Sequence, residues 1–371
     1  MAGPPRIVSA LTLFLLIGVV WFYTYFTGHV GVPSHTAAHV ESKLEETSSG
    51  FEIPVYGPGI AESNYTRVLV IPKTEAEDVS WIEKELPGLD TAIYEVENQS
   101  APYHVPKNKG REAMVYLTYI IDHYDELPDV ILFFHAHQYA WHNNILLDLD
   151  SAKTIRRLSP DRVMRVGYMN ARCHLDPGCP DWIHMDRPEV DFDMVKKPEE
   201  PRFTYRVWEE LYPGERAPPV LSQPCCAQFA VSRDAVRRKL QSAYVHYRDW
   251  LLNTALEDEF SGRVLEYTWQ YIFTGNAEHC PVMHTCYCDG YGICFGSGAK
   301  LDEWLALFEK KEAARAELYA LDLKIEGVEK IEDELRKKVD KLTEEVETRK
   351  REAYARGNDP KNRAIEAERR D

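Results

Sequence analysis

The chain has 371 residues, 44% of them hydrophobic, and a formal net charge of −16. That length suits one large domain with appendages, or two domains, and the apolar share can fill a sizeable core. The negative balance argues against a nucleic-acid partner, since binding phosphates needs a basic face.

Taken in chain order, Ile7 to Phe26 carries no charge and matches the ~20 apolar residues that span a bilayer. Trp21, Tyr23 and Tyr25 gather at its far end as an aromatic belt, and Arg6 before it places the short N-terminus in the cytosol. Bulky aromatics stand where a signal peptide would carry small residues, which favours an uncleaved anchor. The rest of the chain is then lumenal or extracellular. Asn64-Tyr-Thr66 and Asn98-Gln-Ser100 have the form of N-glycosylation acceptors. All eight cysteines fall between Cys173 and Cys294, an even count that fits an oxidising compartment. Gly28 to Ser63 lacks periodicity and reads as a flexible stem.

The folded domain begins near Arg67. Val68 to Pro72 is a short strand, Glu75 to Leu86 has helical spacing, and Thr91 to Glu97 alternates as a second strand. Gly110-Arg-Glu112 opens a strongly periodic helix that runs to about Tyr124. Pro128-Asp129 then starts a buried strand, Val130 to Phe134. Strands are expected at Met164 to Asn170 and Gln228 to Ser232, and helices at Thr204 to Leu211, Arg233 to Tyr247 and Gly262 to Phe273. Strands alternating with helices imply an α/β domain with a mostly parallel sheet. From Ala299 the composition shifts to Ala, Leu, Lys and Glu. Leu318, Leu321, Ile325, Val328, Leu335, Val339, Leu342 and Val346 form a heptad seam over about four repeats, which favours a coiled coil and self-association over one amphipathic helix packed on the domain. After Tyr354 the tail is polar and reads as disordered.

The chemistry centres on the end of the buried strand. There the chain turns abruptly polar, with His135, His137 and His142 close together and Trp141 beside the last. Ligands bind at such carboxyl edges in open α/β sheets. Strand spacing points His135 and His137 to one face, where they can share an ion with His142, bind a substrate or phosphate, or serve as plain structural histidines. Asp148-Leu-Asp150 and Asp191-Phe-Asp193 have a form that can hold a divalent ion against a diphosphate, and equally that of a turn or helix cap. On a helix Arg263, Glu266, Trp269 and Gln270 share one face. Glu266 there is either a general base or half of a surface pair with Arg263. Lys109 and Arg111 at a helix start either hold an anion or accompany a simple cap. The cysteines lack zinc-finger spacing, so disulfides are expected, with Cys173–Cys179 the simplest local pairing.

Asn108-Lys-Gly-Arg-Glu-Ala113, Leu127-Pro-Asp129, Phe134-His-Ala-His-x-x-x-Trp-His142, Cys226-Ala-Gln-Phe-Ala-Val-Ser232 and Gly262-Arg-x-x-Glu-x-x-Trp269 together resemble a fungal family of membrane-anchored proteins of unknown function. The likeness spans Val68 to Ser297. That family in turn looks like the GT-A type glycosyltransferases, whose strand-end Asp-x-Asp binds a metal and the sugar-nucleotide diphosphate. His135-Ala-His137 stands in that place here. The resemblance implies a GT-A-like mixed, mostly parallel sheet flanked by helices, and Glu266 as the base that activates the acceptor.

The combined expectation has four parts: an anchor with a cytosolic tip (1–27), a stem (28–66), a lumenal α/β domain (67–298) and a charged helical coiled coil with its tail (299–371). The expected function is a type II, Golgi or secretory-pathway transferase moving a sugar from a nucleotide donor to a glycan or cell-wall acceptor. Glu266 is its catalytic residue. His135, His137, Arg111, Trp141 and Arg263 contact substrate, and His135, His137 and His142 ligate a divalent metal such as Mn or Zn. A non-catalytic lumenal scaffold that oligomerises through the coil, and a metal-dependent hydrolase, are the alternatives from other classes.

Overall fold

The computed structural model describes residues 65–187, 195–321 and 328–368. The expected anchor, the stem as far as Asn64 and the Asp191-Phe-Asp193 pair lie outside these residues. Among the described residues no helix is long and apolar enough to cross a membrane.

The apolar run at the start of the domain forms β1, Arg67–Lys73, with Val68 through Ile71 all buried. A strand buried on both faces reads as a continuous apolar run and belongs inside a sheet. It pairs in parallel with β2, Asp90–Glu95, on one side and with β3, Val130–Phe133, on the other. β7, Phe229–Ser232, then pairs antiparallel with β3 and with β4, Tyr168–Asn170. The order is β2-β1-β3-β7-β4, so four of the five strands run one way and β7 alone is reversed. A two-stranded pair, β5 (Ile183–His184) and β6 (Val220–Leu221), stands apart.

The alternation of side chains splits the core into two layers. On one face Val68, Val70, Ile131, Phe133, Phe229 and Val231 meet α2 (Glu112–Asp122) together with residues of α5 (Tyr205–Leu211), α6 (Arg233–Arg237), α7 (Gln241–Asn253), α8 (Asp258–Glu266) and α9 (Trp269–Thr274). On the other face Leu69, Ile71, Val130, Leu132, Phe134 and Ala230 meet α1 (Ser80–Glu85), α3 (Ser151–Arg157), α4 (Pro160–Val166), α10 (Met283–Tyr291) and the C-terminal helices.

Three expected elements are broken where side chains cap or satisfy the backbone. The strand expected over Met164 to Asn170 starts only at Tyr168, because Ser159 caps α4 and Pro160 opens it. The helix expected over Arg233 to Tyr247 is two, α6 and α7, with the break at Arg238 to Leu240. The helix expected over Gly262 to Phe273 ends at Glu266 and restarts at Trp269. Thr268 bends back to hydrogen-bond the Val264 and Leu265 carbonyls at that break.

Two C-terminal helices pair with each other within the chain; Ile325 of the expected seam lies outside the described residues. α11, Gly298–Tyr319, and α12, Val328–Gly357, run antiparallel: Trp304 donates to the Val346 carbonyl at 3.0 Å and Lys338 meets Glu317 at 3.5 Å. The base of this hairpin covers the second sheet face through Leu301, Trp304, Val346, Ala353 and Tyr354. Tyr354 donates to the Leu146 carbonyl, and Lys350 pairs with Asp148. The tail expected to be disordered beyond Tyr354 is helical, with α13 at Pro360–Glu368 and the buried Glu366 paired to Arg356. Composition alone could not show that a polar helix is held by a few buried anchors.

The disulfides pin the α10 segment to the domain. Cys173 bonds to Cys286 and Cys179 to Cys280, so the local Cys173–Cys179 pairing does not form. Cys288 bonds to Cys294, and Cys225 to its neighbour Cys226.

Candidate functional site

The site grows from the carboxyl end of β3. Phe134 and Ala136 turn toward the second core layer, which leaves His135 on the face of Phe133, the face α2 covers. The His135 backbone N–H donates to Gln228 Oε1 at 3.2 Å. Gln228 Nε2 donates to Asn143 Oδ1 at 2.8 Å and faces His142 Nδ1 at 3.4 Å. One side chain thus ties the end of β3, the Trp141-His-Asn turn and the start of β7. The His135 and His142 rings sit edge to face at 5.1 Å. With Nδ1 facing a donor, His142 is the tautomer that carries its proton on Nε2. Burial pushes His135 down to about 4, helped by His137 and Arg111 and opposed by Glu77. Burial, with His135 and Arg172, pushes His142 to about 3. Both imidazoles are therefore neutral at pH 7, fit to donate or accept hydrogen bonds but not to carry charge.

His137 does not join them. Its side chain is 64% exposed and lies 3.7 Å from Glu77. Two groups of three candidate ligand atoms lie within 4.8 Å of one another among the described residues, Cys225–Cys226–Glu266 and Cys288–Cys294–Glu366. Neither contains a histidine, and in each the cysteines are already disulfide-bonded. The expected His135, His137 and His142 ligand set does not close around one ion. Asp148-Leu-Asp150 is structural as well. Asp150 caps α3 through the Ala152 and Lys153 amides, and Asp148 pairs with Lys153 and Lys350.

The other half of the site comes from α8. Gly262 lets this helix lie against Gly110, since a Cβ there would meet the Gly110 carbonyl at 3.0 Å. Gly110 and Arg111 both hold positive φ, and a Cβ on Gly110 would strike Leu251 at 2.4 Å. The close approach brings Glu266, the last residue of α8, beside Glu112, the first of α2. Burial first and then the Glu112 charge raise Glu266 to about 7, against the lowering effect of the Cys226 amide and Arg263. Glu112 is raised too, chiefly by burial. Glu266 accepts from the Cys226 N–H, and its own carbonyl accepts from Gln223. Tyr116 Oη, Trp269 Nε1 and His135 Nε2 on this same sheet face are buried and have no hydrogen-bond partner among the described residues.

Three cations act on these groups, Arg111 on His135, Arg172 on His142 and Arg263 on Glu266. Arg111 is more than half exposed and reaches Glu259 only at 4.0 Å. Arg263 is committed: it pairs with the buried Glu199 and with Glu259, both at 3.0 Å, and not with Glu266. Lys109 is spent on the Thr254 carbonyl at the end of α7. Arg172 lies over Trp141 at 5.4 Å, and Trp141 is 68% exposed. Its guanidinium bonds to the His174 and Asp176 carbonyls and to Cys225 Sγ, with no carboxylate in ion-pair range among the described residues. A cavity of about 360 Å³ bounded by Tyr94, Tyr103, Thr118 and Arg248 shares none of these residues.

His135, His142 and Trp141 thus gather at the β3 edge with Arg111 acting on His135, Glu266 lies beside Glu112 and the Cys226 amide, and His137 stays exposed beside Glu77. The link between the two groups runs through one short segment: the Cys226 amide holds Glu266, and the side chain of Gln228, two residues on, holds the His135 backbone. Sequence reading missed Glu112, Arg172, Gln228 and the Cys225–Cys226 ring as site elements. Only the adjacent cysteines carried a local signal; the others gain meaning from neighbours far off in sequence.

Searches of curated proteins and of solved structures found no match. Residues 69–289 match the family described as Protein of unknown function (DUF3431). That match takes in both halves of the site and more than half of the chain, and the chain belongs to this family.

Proposed function

We propose that the chain is a lumenal glycosyltransferase in which Glu266 takes the proton from an acceptor hydroxyl while the acceptor oxygen attacks the donor sugar. The observation that carries the reading is a carboxylate with a pKa of about 7, held by a backbone amide two residues from the side chain that orders the β3 edge. A base poised near the working pH can be substantially ionised and still accept a proton in the transition state. Arg111 and Arg172 supply positive charge toward the leaving diphosphate, and neutral His135 and His142 supply hydrogen bonds. Trp141 offers an exposed ring face to a sugar. The three-histidine metal set does not fit, so no step is routed through a metal. The mixed sheet supports the GT-A likeness of the motifs, and four disulfides support an oxidising lumen.

The test titrates the full chain, purified in detergent, with UDP- and GDP-sugars by calorimetry and follows transfer to glycan acceptors. Saturable donor binding is expected. Glu266→Gln should keep that binding and lose about 10²- to 10⁴-fold in turnover. Folded protein that binds no nucleotide sugar would sink the proposal.

A further inference from the structure

Cys225 and Cys226 are adjacent residues bonded to each other. The eight-membered ring they close fixes the turn that enters β7. Cys226 and Ala227 both hold positive φ, 84° and 47°, a region that residues with a side chain avoid unless something holds them there. From this held turn the Cys226 amide reaches Glu266, and Gln228 reaches His135, Asn143 and His142. Both halves of the site hang on one short, covalently locked segment.

The two sulfurs have unlike surroundings. Cys225 is 3% exposed, whereas Cys226 is partly exposed. Arg172 Nη1 lies 3.2 Å from Cys225 Sγ and 3.9 Å from Cys226 Sγ. A guanidinium beside a sulfur favours its thiolate, and a better thiolate leaves faster in exchange.

We propose that the Cys225–Cys226 disulfide is a positioning element for Glu266 and Gln228 that a dithiol opens, so that the site is assembled in the oxidised form and taken apart in the reduced one. A thiolate of the dithiol attacks the accessible Cys226 Sγ. The S–S bond breaks and its electron pair leaves on Cys225 as a thiolate beside Arg172. The second thiol of the reagent then attacks the mixed disulfide. Cys226 leaves as a thiol or thiolate, and the reagent leaves as its own cyclic disulfide. Two electrons pass from the dithiol to the protein. With the ring open, Cys226 and Ala227 relax toward negative φ and withdraw the amide from Glu266 and the side chain of Gln228 from His135. The consequence for catalysis rests on the reading of Glu266 as the base; the test does not.

The full chain in detergent is exposed to graded dithiothreitol, alkylated and mapped by peptide mass spectrometry, with hydrogen exchange measured in parallel. Cys225–Cys226 is expected to open at lower dithiol than the other three bridges. Exchange should then rise about tenfold or more in residues 226–229 and at the end of α8, with the sheet centre unchanged. Arg172→Gln should slow opening about threefold or more. A Cys225→Ser/Cys226→Ser variant, with the remaining bridges intact, should show the same local exchange without reductant. Opening no earlier than the other bridges, or opening that leaves exchange at residues 226–229 unchanged, would overturn the proposal. No sugar or activity enters these readouts, so a failed transferase assay leaves them independent.

Discussion

Glu266→Gln separates function from stability. Burial and the nearby Glu112 raise the native carboxyl from its ordinary 4.5 to about 7. The native state therefore binds this proton more tightly than the unfolded chain. Below 4.5 both states are protonated and the group contributes no penalty. As pH rises from 4.5 through 7, the unfolded chain releases its proton first, and the native state loses relative stability. Roughly 2.5 pH units at about 1.4 kcal/mol each would come to about 3.5 kcal/mol above pH 8, and partial exposure trims this to about 2–3 kcal/mol. Glutamine is the shape of the neutral acid and can still accept from the Cys226 amide. The variant should thus match the wild type at pH 4.5 and exceed it by about 2–3 kcal/mol at pH 8, or about 5 °C in melting temperature at roughly 2 °C per kcal/mol. Thermal unfolding of both proteins at the two pH values, with the disulfides intact, makes the measurement. An equal difference at both pH values would refute the reasoning, since it would mean the carboxyl titrates alike folded and unfolded.

Three further outcomes are expected. Asp150→Ala removes the cap of α3 and should cost about 1 kcal/mol in urea unfolding, while leaving any donor-sugar affinity intact; a lost affinity would return this Asp-x-Asp to the site. Gly262→Ala pushes a Cβ against the Gly110 carbonyl and should cost about 1–3 kcal/mol; it should also raise exchange at Glu266, and unchanged exchange there would mean the α2–α8 contact does not position the carboxylate. A chain ending at Ser297 lacks α11 to α13 and uncovers the apolar face that Leu301, Trp304, Val346 and Tyr354 cover. It should aggregate on gel filtration, and a monodisperse folded product would show that the hairpin is an appendage.

The amino-acid pattern was enough for the parts that rest on local physics. The run Val68 to Ile71, the periodic α2 and the Val130 to Phe133 strand declare themselves by period and burial, and the polar flip after Phe134 marks the edge of the candidate site. The Gly262 to Glu266 segment likewise carried the carboxylate proposed as the base. What local pattern could not supply was pairing over distance. Whether β7 would run antiparallel, whether Cys173 would reach Cys286 or Cys179, and which helix of the chain the heptads would pack on all depend on which surfaces lie close after folding. The same holds for charge. Glu266 gains its high pKa from burial beside Glu112, 154 positions away in the chain, and His137 loses its expected role because its ring turns toward Glu77 and solvent. Hydrophobic period is a property of neighbours in sequence and survives in the unfolded chain. Desolvation and convergence arise only when the tertiary fold removes water and brings distant groups together.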